Sequence, residues 1–369
     1  MGAPSETYVD PSIAANSGTG TIGDPYGDLQ YALDTMTRDA TNGDRINIKS
    51  GTAEILTGTI SLASYGGPTS TAGLIFQGYD SVAGDGGIGV LDGNGGNFTC
   101  CTNTTAHFHK HMRFTNTGSA VCVRLGFYCK MVECEADNST GGGIDLTGNF
   151  NAAIKCYVHN VGGVGIEGGM IHGCYIANGT NKVTNAISLD APGLAAFNII
   201  NIDGSSNGIT AGNPDFAIGN SVLSSAGTGY GIDAIGGFTF AHMRNNLVEG
   251  FSGTGGKGFL MSGDTWGLDY SGAFNNFTNY SGAADDILID DNETLVASPF
   301  AKTGSLPTDF TSASFWSDLY AYFAPVDTGN VYSGFPVGSN QTKGAVGQPV
   351  GGGAGGGLLR VNMNGNVFG

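Results

Sequence analysis

Residues 134–176 read CEADNSTGGGIDLTGNFNAAIKCYVHNVGGVGIEGGMIHGCYI, and they contain two copies of a pattern that runs from Val121 to Ile287. In this pattern an apolar residue, usually preceded by glycine, returns at intervals near 22 residues. This first column is Val121, Ile144, Ile166, Ile187, Ile209, Ile232, Phe259 and Ile287. A second column keeps the same interval at Arg113, Cys134, Cys156, Cys174, Asn198, Asn220, Asn246 and Asn276. Two columns in phase indicate an internal repeat.

Each repeat holds short alternating runs of apolar and polar residues, separated by Gly, Asn, Ser and Thr. That pattern is typical of strands and turns, and it lacks the 3.6-residue period of a helix. A repeat this short cannot bury its own apolar face, but stacked repeats can. Equivalent residues of successive repeats would then lie about 4.8 Å apart, which is the strand spacing. The sequence therefore predicts an all-β parallel solenoid in which Ile stacks on Ile, Cys on Cys and Asn on Asn.

The 22-residue coil resembles the right-handed parallel β-helix of the pectate-lyase-like superfamily, a fold that also occurs in phage tailspikes and fibres. The N-terminal segment strengthens the resemblance, because it is similar to the strand, helix and strand that close the first coil in that superfamily. The matching residues are Tyr8-Val9-Asp10, then 24–33, then Gly43-Asp44-Arg45-Ile46. The resemblance implies the fold and says nothing about chemistry.

We expect four regions along the chain. They are an N-terminal cap with the first coil (1–52), the parallel β-helix (53–290), a C-terminal cap (291–350) and a glycine-rich tail (351–369). The N-terminal cap contains a short predicted helix with one apolar face, formed by Leu29, Ala32, Leu33 and Met36. The C-terminal cap contains a second predicted helix, which follows Ser312 or Ser314 and carries Phe315, Leu319, Tyr322 and Phe323. We expect the tail to be held by its own chain or by a neighbouring subunit.

Composition narrows the classes of function. The net charge of −17 at pH 7 disfavours binding to nucleic acids and to anionic membranes. No apolar run approaches the roughly 18 residues of a transmembrane helix, and the N-terminus lacks the basic and apolar regions of a secretion signal. Only 12% of the residues are charged, about half the usual share, which indicates a surface covered by neighbours in an oligomer or a lattice.

The cysteines predict no metal centre. There are seven, and three of them share the second column. We interpret them as reduced core residues that act as small hydrophobic side chains. The sequence has no C-x-x-C pair of the kind that binds zinc.

The catalytic candidates are Asp145 and Glu167, because each follows a core Ile and should face outward. Stacked on adjacent coils, their carboxyl groups would lie close to the roughly 5–5.5 Å of a retaining glycosidase pair. The alternative is a solvated acidic face, with or without a bound cation such as Ca²⁺. A pectate-lyase mechanism would also need Ca²⁺ ligands and a basic proton acceptor, and no Arg or Lys here falls in a matching motif.

His107, His109 and His111 are the metal candidates. They alternate along one predicted strand, which would place all three imidazoles on one face. Such a set can bind a transition metal, particularly across a trimer axis. The alternative is three solvent-facing histidines, with Phe108, Met112 and Phe114 in the core. No motif requires a cofactor.

Trp266, Tyr270 and Tyr280 are the glycan-binding candidates. They lie, with Phe274 and Phe277, in a region where the repeats lengthen and loops are expected. Aromatic rings of this kind can stack on sugar rings. The alternative is that the cluster packs the last coils.

These observations favour a structural or binding protein of a virion, such as a tail fibre, a spike or a capsid decoration, or of a similar extracellular assembly. Such a protein would form a homo-oligomer or bind other virion proteins, and it could bind a cell-surface polysaccharide. The alternative is a polysaccharide-degrading enzyme, a glycoside hydrolase or a lyase, that uses carboxylates on the face of the β-helix. The sequence leaves the question of catalysis open.

Overall fold

The computed structural model describes residues 3–39, 41–62, 73–103, 106–146, 148, 150–190, 192–212, 215–235, 241–244, 246–262, 266–269, 271–282, 287–290, 293–295, 298–323, 360–361 and 367–368. For 241–242, 262, 266–269, 287–290, 293–294 and the last two pairs, only the backbone is described. The chain divides into two compact units, Met1–Ser188 and Leu189–Gly369.

The first unit contains one short helix and many short strands. Its elements are β1 (Ser5–Val9), α1 (Leu29–Thr35), β2 (Asp44–Lys49), β3 (Glu54–Ile55), β4 (Ile60–Ser61), β5 (Leu74–Tyr79), β6 (Gly89–Asp92), β7 (Cys101–Thr102), β8 (His107–Lys110), β9 (Met112–Gly118), β10 (Val123–Arg124), β11 (Lys130–Val132), β12 (Glu135–Ser139), β13 (Ile144–Leu146), β14 (Ala152–Ile154), β15 (Tyr157–Val161), β16 (Ile166–Gly168), β17 (Met170–His172), β18 (Tyr175–Ala177) and β19 (Asn185–Ser188).

The second unit has the same character. Its elements are β20 (Leu194–Ala196), β21 (Ile199–Asp203), β22 (Asn207–Ala211), β23 (Phe216–Ile218), β24 (Ser221–Ser225), β25 (Tyr230–Ile235), β26 (Ala241–Arg244), β27 (Leu247–Glu249), β28 (Lys257–Ser262), β29 (Trp266–Asp269), β30 (Gly272–Phe274), β31 (Thr278–Gly282), β32 (Ile287–Asp290), β33 (Glu293–Thr294), α2 (Phe315–Tyr322), β34 (Arg360–Val361) and β35 (Val367–Phe368).

Each unit has three parallel sheets, because successive strands of the chain join three different sheets in turn. In the first unit, sheet A has the order β1-β2-β5-β8-β11-β14-β17, sheet B β4-β7-β10-β13-β16-β19 and sheet C β3-β6-β9-β12-β15-β18. In the second unit, sheet A′ has the order β20-β23-β26-β29-β32, sheet B′ β22-β25-β28-β31 and sheet C′ β21-β24-β27-β30-β33. The strands β34 and β35 pair with each other, antiparallel. The predicted parallel β-solenoid is confirmed within each unit.

The first sequence column is a buried row in each unit. Ile144 pairs with Ile166, and Ile166 with Ile187, in sheet B. In sheet B′, Ile209 pairs with Ile232, and Ile232 with Phe259. All six side chains are at most 1% exposed. Like residues therefore stack on like in the core of each unit, as predicted.

The two ends of that column were predicted wrongly. Val123, not Val121, pairs with Ile144. A shift of two residues keeps the same face of a strand, so the apolar pattern alone cannot detect it. Ile287 pairs with Trp266 in sheet A′, whereas Tyr280 is the sheet B′ neighbour of Phe259. The final coils are longer than the earlier ones, so counting by the period assigned Ile287 to sheet B′ although it lies in sheet A′.

The second column also needs two corrections. Arg113 pairs with Glu135, so the residue in register with Cys134 is Met112. Ser271, and not Asn276, follows Asn246 in this column. The hydroxyl oxygen of Ser271 accepts the backbone N–H of Asn246 at 3.3 Å. The remaining members are buried as predicted, and all seven cysteines are buried and free.

Asn198, Asn220 and Asn246 form a buried ladder of amides in the second unit. The side-chain oxygen Oδ1 of Asn220 accepts hydrogen bonds from both the backbone N–H and the side-chain NH₂ of Asn198, each at 3.0 Å. Asn246 accepts the same two bonds from Asn220, each at 3.0 Å. The Asn220 NH₂ also donates to the carbonyl of Ala195 at 3.0 Å. Stacked asparagines thus satisfy backbone groups at a corner where the sheet ladder ends.

The corner between sheets A and C requires a left-handed backbone. In successive coils of the first unit His111, Glu133, Lys155 and Gly173 have φ values of 51°, 52°, 50° and 63°. Left-handed conformations are uncommon for side chains other than Gly, Asn and Asp. The corner turns the chain sharply, and it interrupts the strict alternation of inward and outward residues. This is why the alternation predicted through His111 fails.

Both predicted cap helices are present. The helix α1 begins after Asp28, whose side chain accepts the N–H of Tyr31 at 2.6 Å, as a helix N-cap should. Leu29, Ala32 and Leu33 form its buried face. The helix α2 begins after Ser314 and buries Phe315 and Leu319. Most of the glycine-rich tail lies outside the described residues, so the expectation that it is held stays a prediction.

Glu54 of β3, which is hydrogen-bonded to Leu29 of the cap helix α1, makes the stability of the protein depend on pH. Burial raises the pKa of its carboxyl group to about 7, although a hydrogen bond from the Leu29 N–H acts in the opposite direction. In the unfolded chain the group titrates near 4.5, so the protein loses stability as the pH rises from 4.5 to 7. We expect Glu54→Gln to raise the free energy of unfolding by about 1–2 kcal/mol at pH 8 and by much less at pH 4.5. Urea titrations at both pH values check this, and an equal effect at the two would contradict it.

Candidate functional site

Asp145 and Glu167 lie side by side in sheet B, as predicted. Their strands β13 and β16 pair with these two residues in register. Asp145 is buried, and Arg124 on β10 is in register with it on its other side. The Arg124 Nε donates to Asp145 Oδ2 at 2.7 Å. The row is therefore Arg124, Asp145, Glu167, and the proposed catalytic carboxylate Asp145 is held by a guanidinium.

The three histidines do not share one face. His107 and His109 are buried, which places them in the core and not in solvent. Burial lowers the pKa of His107 to about 4 and that of His109 to about 3, so both are neutral at pH 7. The ring of His109 stacks on Phe76 with centroids 5.3 Å apart. His111 lies at the left-handed corner, with its Nε2 2.8 Å from Glu133 Oε2.

Both sequence interpretations of the histidines therefore rest on a wrong premise. The alternation holds from His107 to His109, but it places them inward, and Phe108 and Lys110 are partly exposed. Within the described ranges, the three imidazoles are not gathered into a set of metal ligands. Binding of a metal by all three histidines across a symmetry axis stays a prediction, but a shared outward face of the strand does not support it.

The aromatic candidates are only partly described. Trp266 begins β29, its side chain is not described, and Tyr270 lies outside the described residues. The Tyr280 ring stacks on Phe259 with centroids 5.3 Å apart. Its hydroxyl donates to the carbonyl of Ser271 at 3.1 Å. These contacts bind Tyr280 to its own coils, which favours the packing alternative for that residue.

A cluster that the sequence analysis missed lies on the outer face of sheet C. We call Arg113, Glu135, Asp137 and His159 the sheet C cluster. Arg113 donates from Nε and Nη2 to the two oxygens of Asp137, at 3.0 and 2.7 Å. The Nε2 of His159 lies 2.8 Å from Glu135 Oε1. Glu135 and Asp137 are almost completely buried, whereas the side chains of Arg113 and His159 are 39% and 23% exposed.

Strand pairing positions this cluster. Arg113, Glu135 and Tyr157 are in register on β9, β12 and β15, and Asp137 is in register with His159. The Tyr157 ring stacks on His159 with centroids 4.2 Å apart. The hydrogen bond to Asp137 raises the pKa of Arg113, and burial raises the pKa of the Tyr157 phenol.

The sheet C cluster has the donor atoms of a metal site. Glu135, Asp137 and His159 each offer one ligand atom, and these atoms lie within 4.8 Å of one another. Two carboxylates and an imidazole fit a transition metal better than Ca²⁺, which takes oxygen ligands. Arg113, however, already holds both oxygens of Asp137. A metal ion would have to displace this guanidinium.

A signal in the sequence could have revealed the cluster. Glu135-Ala136-Asp137 and Tyr157-Val158-His159 are two outward–inward–outward triplets 22 positions apart. The sequence analysis assigned Arg113 to the inward column, which shifted its strand by one residue. The shift hid the outward position of Arg113 next to Glu135.

Comparisons with known proteins show the fold. No protein-family model and no curated protein matches the sequence. Among solved structures, the chain is similar to the pectate lyase Pel9A, with 12% identity, coverage of 89% of this chain and 90% of that one, and a TM-score of 0.50. The fold is a right-handed parallel β-helix. The predicted fold class is thereby confirmed.

Two further structures are similar at lower scores. A pectin methylesterase from Aspergillus niger has 14% identity and a TM-score of 0.42, with coverage of 86% of this chain and 97% of that one. A rhamnogalacturonan lyase has 14% identity and a TM-score of 0.39, with coverage of 82% and 91%. At an identity of 12%, the likeness to Pel9A concerns the fold and not the chemistry. Within the described ranges, neither helix has the length and apolar composition needed to cross a bilayer.

Proposed function

We propose that this β-helix is a non-catalytic structural and binding protein of a virion, such as a tail fibre, a spike or a capsid decoration, or of a similar extracellular assembly, and that it binds surface glycans. One observation carries the proposal against the catalytic alternative. Three of the outward carboxylates that could serve a glycosidase or a lyase, namely Glu135, Asp137 and Asp145, are engaged by Arg113, Arg124 or His159.

A carboxyl group that acts as general acid or nucleophile must present an oxygen to the sugar. Both oxygens of Asp137 accept hydrogen bonds from Arg113, so neither oxygen is presented to a sugar. Arg124 donates from Nε to one oxygen of Asp145, Oδ2, at 2.7 Å. These groups are better placed to stabilise the outer faces of the β-helix than to attack a glycosidic bond.

The assembly part of the proposal rests on the composition and on the resemblance to phage fibres. The small share of charged residues fits a surface that is covered by other copies of the chain or by other virion proteins. A homo-oligomer in solution would support it.

Polysaccharide cleavage is the second candidate, and the sheet C cluster is the observation that favours it. Two carboxylates and an imidazole within 4.8 Å of one another can perform acid–base chemistry if a ligand draws Arg113 away. Clusters of interacting titratable groups are candidates for active sites as well as for structural ion pairs.

Product analysis separates the two functions. We expect incubation of the protein with pectic and capsular polysaccharides to yield neither new reducing ends nor unsaturated products, because the carboxylates are engaged. Products that vanish in Glu135→Gln but persist in Glu167→Gln would establish cleavage at the sheet C cluster. The reverse pattern would establish the Asp145–Glu167 pair as catalytic, and either result would contradict the proposal.

A further inference from the structure

The corners between sheets B and A change abruptly in length. Five residues join β10 to β11 (125–129), and five join β13 to β14 (147–151). In the next coil Gly169 alone joins β16 to β17. Two corners of five residues are therefore followed by a corner of one residue, and we call this change in corner length a step.

Aromatic rings stand at this step. Tyr128 and Phe150, 22 positions apart, stack with centroids 5.1 Å apart and planes inclined by 8°. They are 60% and 65% exposed, in spite of their size. Phe127 is 47% exposed, and its ring lies over Gly148, where a Cβ would approach the ring to 3.1 Å. We call Phe127, Tyr128 and Phe150 the aromatic step.

The backbone holds these rings outward at a cost in strain. Tyr128 has a φ of 59° and Phe150 a φ of 66°, a conformation that is unfavourable for bulky side chains. The buried side chain of Asn151 secures the corner, since its oxygen accepts the Cys129 N–H at 2.9 Å and its NH₂ donates to the carbonyl of Gly148 at 3.2 Å. Strained residues held in place by their surroundings are frequent at ligand sites. Hydrogen bonds thus hold the backbone of this corner before any ligand arrives.

Polar groups lie on the strands that lead to the aromatic step. Arg124 ends β10, and its side chain is 54% exposed. Asp145 lies on β13, which leads to Phe150, and Glu167 comes next in the same row of sheet B, on β16. Exposed rings with donors and acceptors on neighbouring strands match a sugar, which has an apolar face and a rim of hydroxyl groups.

Charge decides among the possible ligands with flat faces. Arg124, Asp145 and Glu167 sum to −1 at pH 7, within a chain of net charge −17. A negative potential disfavours nucleic acids and acidic polysaccharides. On these grounds we propose that the aromatic step is a binding site for neutral sugar residues of a polysaccharide. This inference deepens the proposed glycan binding and depends on it.

Electrophoresis in native gels that contain a polysaccharide tests the site. The probes are galactomannan, xyloglucan and soluble starch, with polygalacturonate as the acidic comparison. The variant Phe150→Gly removes the ring and, because glycine adopts positive φ freely, relieves strain. We expect at least one neutral probe to retard the wild-type protein, and the apparent dissociation constant to rise at least tenfold in Phe150→Gly. We expect the melting temperature to stay the same or to rise.

The control is Phe197→Gly, which removes an aromatic ring that is 43% exposed and also stands at a positive φ (56°), but outside the step. We expect it to be retarded like the wild type. Equal retardation of wild type and Phe150→Gly would overturn the site. Retardation by polygalacturonate alone, unchanged in Phe150→Gly, would leave glycan binding intact and overturn this site.

Two further outcomes would also overturn the inference. If no neutral probe retards the wild type, the aromatic step does not bind these sugars. Product analysis then remains as the separate test of whether the protein cleaves polysaccharides. If the wild type forms oligomers that Phe150→Gly abolishes, without any effect of sugar, the aromatic step is a contact between copies of the chain.

Discussion

Replacing Asn220 with alanine is expected to lower the free energy of unfolding by about 3–5 kcal/mol. The Asn220 side chain is fully buried and joins the amide ladder on both sides. Its loss would leave the Asn198 donors, the Asn246 oxygen and the Ala195 carbonyl without these partners. A buried polar group left without a partner costs roughly 1–3 kcal/mol, and the missing atoms would also leave a cavity.

Asn201→Ala is the matched control for this prediction. Asn201 lies on β21 in the same unit, but it is partly exposed, between the buried residues Ile200 and Ile202. We expect its replacement to change the free energy of unfolding by less than about 0.5 kcal/mol. Urea unfolding followed by circular dichroism measures both variants. If they have the same stability, the ladder does not stabilise the coil.

Acidification from pH 8 to pH 5 is expected to remove about 4 kcal/mol of stability through His107 and His109. Their pKa values in the folded protein are about 4 and about 3, against 6.5 in an unfolded chain. Below pH 6.5 the unfolded chain therefore binds protons that the folded protein excludes. The stability is fully present above pH 7, and each histidine loses about 2 kcal/mol of it by pH 5.

The variant His109→Phe isolates this effect. Phenylalanine retains a ring between Phe76 and Phe114, but it cannot be protonated. We expect the stability difference between pH 8 and pH 5 to shrink by about 2 kcal/mol relative to the wild type. This comparison cancels the contribution of Glu54, which has the opposite sign. An unchanged difference would show that His109 is not buried as described.

The fold was predictable because its signal is repeated many times. Ile144, Ile166 and Ile187 supply the same evidence in successive coils, so one misplaced residue does not alter the conclusion. Register was less predictable, as Val121 and Arg113 illustrate. Period alone cannot distinguish Val121 from Val123, two positions away on the same face. The row of Arg113 was misplaced by one residue, because only the corner geometry fixes which residue begins a strand.

The candidate site was predictable only in part. Asp145 and Glu167 come together because stacking follows from the period. The burial of His107 and His109 was not foreseen, since alternation gives two faces and does not say which one is inside. The aromatic step was missed because Tyr128 and Phe150 lie in corners, where length varies and side chains have no fixed face. Their common spacing of 22 positions was the available signal.

We expect this β-helix to bind a neutral glycan and to leave it intact. The most direct test incubates the wild-type protein with the neutral polysaccharide that retards it most strongly and then measures the length of the recovered polysaccharide by light scattering. We predict that the polysaccharide binds and keeps its original molar mass. A shortened polysaccharide, or the failure of every neutral probe to bind, would contradict the account.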